Sequence, residues 1–387
     1  MTHFMDSLIG QNKYLAIGWQ IGNSVEVVGN YNEGFDGMTL KDIADSLNVS
    51  VSTVSRALGK DTSGRVSPRL RATIVLAARQ ANYVPHPAAL LLRKPQVNLI
   101  SVLLPMETGA FASEYYGSIL TGVVSASREW ETETRVALID SNTENILEQI
   151  RNVSTGAGGV LCMARPMTLR QLVMLEGFER PCVVLSECLL PHIDLSEVRL
   201  STVGVNNQDG SYNVTQMLLK LGHKRLALIN GPAIARDAWE RERGFTKALK
   251  EYHVSLDSHA IVHGLFSIEA GVQGWEQLKQ CSERPTAVVC GNDEIAFGVL
   301  EALAKDNIKC PQDVSVVGFD DSRLSPRVTP PLTTVRQPIA ELGRAAVELL
   351  ATRLCNPSHE SRVEHRVLPV EIVNRQSVAP PPSGSDS

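Results

Sequence analysis

The sequence predicts an α/β protein built as a small all-α helix-turn-helix head followed by a body with enough apolar strands for two parallel sheets of βαβ units. Three observations carry that reading. Three short helical segments with cap residues crowd between Met38 and Tyr83. After Lys94 the texture changes to short apolar runs separated by helical stretches, the pattern of βαβ units. Charge is also uneven: residues Met38 to Lys94 carry +6 while the whole chain carries −5, which leaves −11 on the rest. A basic segment on an acidic body points to one polyanion-binding module, with a solvated basic face as the plainer alternative.

The 387 residues are too many for one ordinary domain, and 43% hydrophobic with 20% charged residues is a globular composition. No stretch of about 18 apolar residues is present, so no membrane-spanning helix is expected. The N-terminal stretch lacks a basic leader before a long apolar run, which argues against secretion and for a cytoplasmic protein. Seven cysteines without a C-x-x-C spacing indicate buried thiols rather than disulfides or a zinc site, and no metal or cofactor is expected.

Residues 1–37 show weak periodicity and are assigned no role; Met38 opens the first patterned segment and is a candidate translation start. Thr39 is a good N-cap for "LKDIADSL", in which Leu40, Ile43, Ala44 and Leu47 follow helical spacing. Asn48-Val49 suits a tight turn, and Ser50 can cap a second helix from Val51 to Leu58 whose apolar stripe is Val54, Ala57 and Leu58. Gly59 suits its end. Ser67-Pro68 places cap and first-turn proline in the preferred order for a third helix running to Asn82. The expected strands are "NLISVLLP", "RVALID", "GGVLCM", "CVVLS", "RLALING", "AIVHG", "AVVCG" and "VSVVGF". The tail "SVAPPPSGSDS" is disordered on composition and holds no leucine heptads for higher assembly.

Two short helices joined by a tight turn, the second rich in hydroxyls and bearing an arginine, describe a helix-turn-helix whose second helix enters the DNA major groove. Thr39, Ser50, Ser52, Thr53 and Ser55 can bond phosphates near helix N-termini. Val51, Ser52 and Arg56 fall on the outer face, and Arg56 is the candidate for bidentate contact with a guanine. A three-helix packing domain with a polar face is the competing reading. The local charge favours the recognition helix.

"MTLKDIADSLNVSVSTVSRAL" followed by "GRVSPRLRATIVLAARQANYVPHPAALLLR" resembles the DNA-binding head of the LacI/GalR family of bacterial transcription regulators. The resemblance continues through "LGHKRLALINGP", "RERGF", "CGNDEIAFGVL", "DVSVVGFDD" and "PPLTTVRQP", covering about residues 38 to 375. It implies a helix-turn-helix domain over 38–85, a hinge helix over 86–95, and an effector-binding and dimerisation domain of periplasmic-binding-protein type over 96–375, before a disordered tail over 376–387. In the hinge it implies that Leu92 wedges into the minor groove at the centre of a homodimer, with Ala89 beside it, where an apolar wedge kinks the duplex. Pro87 departs from the polar or basic residue common there. Read without the resemblance, Leu90 to Leu92 would be packing residues.

For the body the resemblance implies two lobes, each a doubly wound parallel sheet, linked by three crossovers near Asn206, Val335 to Gln337, and Pro369. Ligands in such sheets bind at the carboxyl ends of strands. Phe266, Asn292 and Asp320 follow "AIVHG", "AVVCG" and "VSVVGF", and Arg241 lies in a helix start; the resemblance implies that these four contact a small-molecule effector, a sugar or sugar derivative. Each has a plainer reading: Asn292 and Asp320 as caps or turn residues, Arg241 in a surface pair with Glu240 or Glu242, Phe266 as core. Phe111, Tyr115 and Tyr116 are candidates for the opposite wall, or for packing. "GAGG" at Gly156 to Gly159 precedes a strand rather than following one, His223 suits a helix-to-strand turn, and no catalytic signature is found. The expected function is a ligand-controlled DNA-binding regulator, most often a repressor in this family, binding operator DNA and no membrane. The alternative is a cytoplasmic sugar-binding or sugar-processing protein with the same body.

Overall fold

The computed structural model describes residues 40–58, 66–80, 99–106, 113–140, 145–163, 166–178, 180–355 and 363–382. Residues 1–37, Gly59, the hinge and Phe111 lie outside that description. The chain divides into two compact units, Met1–Leu90 and Leu91–Ser387.

The first unit contains α1 (Leu40–Ser46), α2 (Val51–Leu58) and α3 (Pro68–Gln80). Their apolar spacing closes one small core of Ile43, Ala44, Val54, Ala57, Ile74 and Ala78. The turn after α1 has a definite chemistry. Asn48 takes φ 50°, a left-handed conformation that asparagine tolerates. The Val49 amide donates to the Ala44 carbonyl (3.0 Å) and the Asn48 amide to that of Asp45 (3.2 Å), the two bonds of a Schellman ending. Ser50 then caps α2 by accepting from the Thr53 amide at 3.2 Å, and Ser67 caps α3 by accepting from Leu70 at 3.3 Å.

The second unit runs β1 (Leu99–Pro105), α4 (Glu114–Glu129), β2 (Glu133–Ile139), α5 (Ile146–Val153), β3 (Gly159–Cys162), α6 (Leu169–Glu176), β4 (Cys182–Leu185) and β5 (Ser201–Val205). The chain leaves this lobe at Asn206 and continues as α7 (Asn207–Lys220), β6 (Leu226–Asn230), α8 (Arg236–Glu251), β7 (Ile261–His263), α9 (Ile268–Leu278), β8 (Ala287–Cys290), α10 (Asp293–Lys305), β9 (Ser315–Asp320) and β10 (Thr333–Arg336). It returns at Gln337-Pro338 to the first lobe as α11 (Ile339–Cys355) and β11 (His365–Leu368), then crosses at Pro369 to β12 (Glu371–Val373). These are the three expected crossings.

The first sheet is parallel throughout, in the order β11-β5-β4-β3-β1-β2. The second has the order β12-β10-β9-β8-β6-β7 and differs from the expected all-parallel sheet at one edge, where β12 runs antiparallel to β10. Strand alternation divides the second lobe's core in two: Ala227, Ile229, Val288 and Val316 pack with Trp275, while Leu226, Leu228, Val289 and Val317 pack with Phe245. The helices covering the sheets approach closely at glycines. A Cβ on Gly122 would strike the Ala340 carbonyl, one on Gly244 that of Gln208, and one on Gly298 that of Ile268.

The tail expectation is overturned as far as Pro382. The Ser377 hydroxyl donates to the Val316 carbonyl (2.6 Å) and accepts from the Thr333 amide (2.8 Å), while the Ser377 carbonyl accepts from the Val316 amide at 2.9 Å. Composition suggested disorder, but these remote partners order the segment. Among the described residues no helix is long and apolar enough to cross a membrane.

Candidate functional site

On the head, the helical period that buries Val54 and Ala57 turns Val51, Ser52 and Arg56 outward, and all three are exposed. Ser50 Oγ lies 2.8 Å from both Ser52 Oγ and Thr53 Oγ1, and Arg56 Nη2 donates to Ser52 Oγ at 3.2 Å. The hydroxyls thus form a cluster at the helix N-terminus, and Ser52, one turn before Arg56, holds the guanidinium against the exposed face. Ser55 lies on α2; Thr39, Ala89 and Leu92 lie outside the described residues. Arg71 of α3 reaches the Arg56 carbonyl at 3.5 Å, placing a cation at the C-terminal end of α2. Lys41 and Arg69 add exposed cations.

In the second lobe of the body, three of the expected residues follow strand ends and the fourth stands on the neighbouring helix. Phe266 follows β7, Asn292 follows β8, and Asp320 ends β9 with φ 124°. Arg241 stands in the second turn of α8 rather than at its start, and it is buried, which rules out the wet-surface pair with Glu240 or Glu242. Its Nε donates to Asn207 Oδ1 at 2.9 Å, its Nη1 to the Gly291 carbonyl, and its Nη2 lies 3.9 Å from Asp237. The Phe319 ring lies 3.9 Å from the guanidinium carbon and the Phe266 ring 5.6 Å, so four elements converge on one cation. Asn292 caps α10 by accepting from the Ile295 amide at 2.9 Å, and among the described residues its amide nitrogen has no protein partner.

Asp320 accepts from Gln337 Nε2 at the second crossing. Burial pushes its carboxyl up to about 8, with Arg241 opposing and Asp293 and Asp237 adding to the rise. Burial also raises Asp237, Glu240 and Asp293. Asp293, the first residue of α10, accepts from the Ser322 amide (2.7 Å) and from the hydroxyls of Ser325 and Thr334, pinning the loop after Asp320. Tyr115 and Asp237, from opposite lobes, line one small cavity with Ser186 and Val205, and both Tyr115 and Tyr116 pack against the first-lobe core. Among the described residues no group of three or more His, Cys, Asp or Glu side chains could hold a metal ion.

Residues 39–86 match the lacI family of bacterial regulatory proteins, and residues 215–378 match the periplasmic binding protein-like domain. The ribose operon repressor of Haemophilus influenzae is 30% identical over 341 residues, spanning 88% of this chain and 98% of the relative. The chain belongs to the LacI family. It is a DNA-binding transcriptional regulator with an effector-binding body. The PurR repressor of Vibrio cholerae is likewise 30% identical, over 347 residues and the same shares of each chain. Among solved structures, the lac repressor dimer bound to operator and an anti-inducer aligns at a TM-score of 0.78 and 26% identity, over 89% of this chain and all of that one. The CelR–cellobiose complex aligns at 0.65 and 27%, over 88% and 99%.

In this LacI-family regulator, sequence reasoning missed Asn207, Asp237 and Gln337. Asn207 follows the first crossing and is fully buried. Its oxygen takes Arg241 while its nitrogen donates to Asp237 (3.2 Å) and Glu240 (3.3 Å). Nothing in the local sequence marks it. Arg236, also missed, donates to the Ile193 carbonyl (2.8 Å) of the first lobe and pairs with Glu240 at 2.9 Å.

Proposed function

We propose that the chain is a repressor that binds a near-palindromic operator as a homodimer and releases or tightens it when a sugar or sugar derivative enters the body. Thr39, Ser50, Thr53 and Ser55 meet phosphates, and Val51, Ser52 and Arg56 face base edges. Ala89 and Leu92 of a hinge enter the minor groove between the two subunits. Arg241, Phe266, Asn292 and Asp320 receive the effector. The protein works without catalysis, in the bacterial cytoplasm.

The observation that carries the reading is α2, an exposed Val51-Ser52-Arg56 face on a capped helix packed within a three-helix head. The names of the relatives support it: they are repressors, one neighbour is a dimer on operator, and another holds cellobiose. Selection of bound fragments from random DNA by the full chain tests it. The expected result is an enriched near-palindrome whose affinity falls steeply with salt, as counterions are released from neutralised phosphates. Binding that enriches no sequence would overturn the reading.

A further inference from the structure

We propose that the loop after β9, residues 321–325, is a clasp by which the second lobe grips Glu114 of the first, and that Glu114 and Arg323 are positioning residues for the angle between the lobes. That the angle matters to operator binding rests on the function proposed above; the clasp itself does not.

The loop is held rigidly at its base. Asp321 takes φ 60°, and its carboxylate accepts from Arg336 Nε at 2.7 Å and from Arg375 Nη2. Arg336 ends β10 and also donates to Glu371 at the start of β12, which ties the loop to two further strands. Asp293 accepts from the Ser322 amide at 2.7 Å and from the Ser325 hydroxyl, and the Ser325 carbonyl accepts from the Leu332 amide at 2.8 Å. Two carboxylates thus fix the backbone on either side of Arg323, whose own side chain is 88% exposed.

Arg323 reaches the other lobe. Its backbone amide donates to Glu114 Oε1 at 3.0 Å, and its Nε lies 3.8 Å from the same oxygen. Glu114 opens α4, where the helix N-terminus favours a negative charge. An exposed pair of long side chains contributes little, because ordering them offsets the attraction. An amide already fixed by its loop has no such cost, and a hydrogen bond to a carboxylate is of the stronger kind. The amide is therefore the grip and the guanidinium an auxiliary.

An opposing charge stands nearby. Glu294, in the first turn of α10, has its carboxyl raised by partial burial and then by Glu269 and Glu114. Glu114 thus meets attraction from the loop and repulsion from α10, both in the second lobe. Elsewhere between the lobes, Arg236 makes a buried tie to the Ile193 carbonyl at 2.8 Å. That tie and the three crossings keep the lobes together, so the clasp sets their angle and not their association.

Hydrogen exchange of the full chain, resolved to single residues by mass spectrometry, reads the clasp as a local opening. Glu114→Ala is expected to speed exchange of the Arg323 amide at least fivefold. The Ser322 amide, held by Asp293, and the Gly117 amide, which donates to the Ser113 carbonyl at 3.0 Å, should keep their rates. Glu114→Gln retains an acceptor oxygen and should fall between Glu114→Ala and the parent. Glu294→Gln removes the repulsion and should slow the Arg323 amide at least twofold. An unchanged Arg323 amide in Glu114→Ala overturns the proposal, because it shows no grip. Faster exchange throughout α4 overturns it as well, because Glu114 then only supports its own helix. Affinity for the operator selected above is measured on the same variants, and Glu114→Ala and Glu294→Gln should shift it in opposite directions, at least threefold each. Altered exchange without those shifts overturns the part of the lobe angle in regulation. A chain that selects no operator fails the proposed function instead, while exchange still decides the clasp.

Discussion

The head and the second lobe of the body place their candidate functional groups in opposite ways. On the head, Ser50, Ser52, Thr53 and Arg56 lie within seven residues of one another, exposed apart from the half-buried Thr53, and bonded to each other. In the second lobe, Arg241 is buried and reaches Asn207, Gly291 and Phe319, which are 34, 50 and 78 positions away. The head presents an interface that a helix period alone can compose. The second lobe holds a desolvated network in which each group depends on a partner brought by another element, so its parts cannot be changed singly.

The sharpest break of that contrast is at Asn207. Asn207→Leu removes three hydrogen bonds to charged groups and leaves Arg241 and Asp237 buried with fewer partners. A loss of about 3 kcal/mol of body stability is expected, since a hydrogen bond to a charged group is worth ~1.5–3 kcal/mol. The denaturant midpoint measures it, and a midpoint matching the parent chain would show that the network does not depend on Asn207.

Arg56→Ala is the counterpart on the head. It should leave stability within about 0.5 kcal/mol, as exposed substitutions do. Discrimination between the operator and a site altered at one guanine should nonetheless fall by ~1–3 kcal/mol. Equal weakening on every sequence would reassign Arg56 to the phosphate backbone.

The smallest effect concerns His223, where the body ties its own end down. The imidazole is buried, with Nδ1 2.9 Å from Thr286 Oγ1 and Nε2 2.9 Å from the Ala379 carbonyl. Burial lowers its pKa, opposed by the Ala379 carbonyl. The unfolded chain, with an ordinary histidine near ~6.5, therefore binds more protons than the folded one just below that pH. Stability is complete above about pH 6.5 and declines as pH falls toward the lowered folded value. His223→Asn should flatten that part of the stability–pH curve, and an unchanged slope in the variant would place the titration elsewhere.

Much of the molecule was legible in advance because it is governed by local rules. The three head helices, the Asn48 turn, the Ser50 and Ser67 caps and eight of the strands follow from spacing and capping chemistry. The strands not foreseen, β5, β10, β11 and β12, have three to five residues each and include polar sequences such as "STVGV" and "HRVL". Their sheet positions are set by neighbouring strands rather than by their own apolar content. The ordered segment to Pro382 escaped for the same reason: its proline-rich composition says nothing of the β9 backbone that pairs with Ser377.

By itself the sequence determined the class of architecture, the outward face of α2 and, through its ordered motifs, the positions Arg241, Phe266, Asn292 and Asp320. Helical and strand periods are properties of a short window, so a window suffices to read them. Tertiary structure alone decided what those four side chains can do. Arg241 could have stood on a wet surface or been tied into the interior, and the difference lies in Asn207 and the Gly291 carbonyl, which accept from it. Asp320 could have been an ordinary carboxylate, and burial beside Asp293 and Asp237 makes it a weak acid. Burial and hydrogen-bond satisfaction are sums over neighbours in space, and these neighbours come from segments that the chain brings together only when the second lobe closes its sheet.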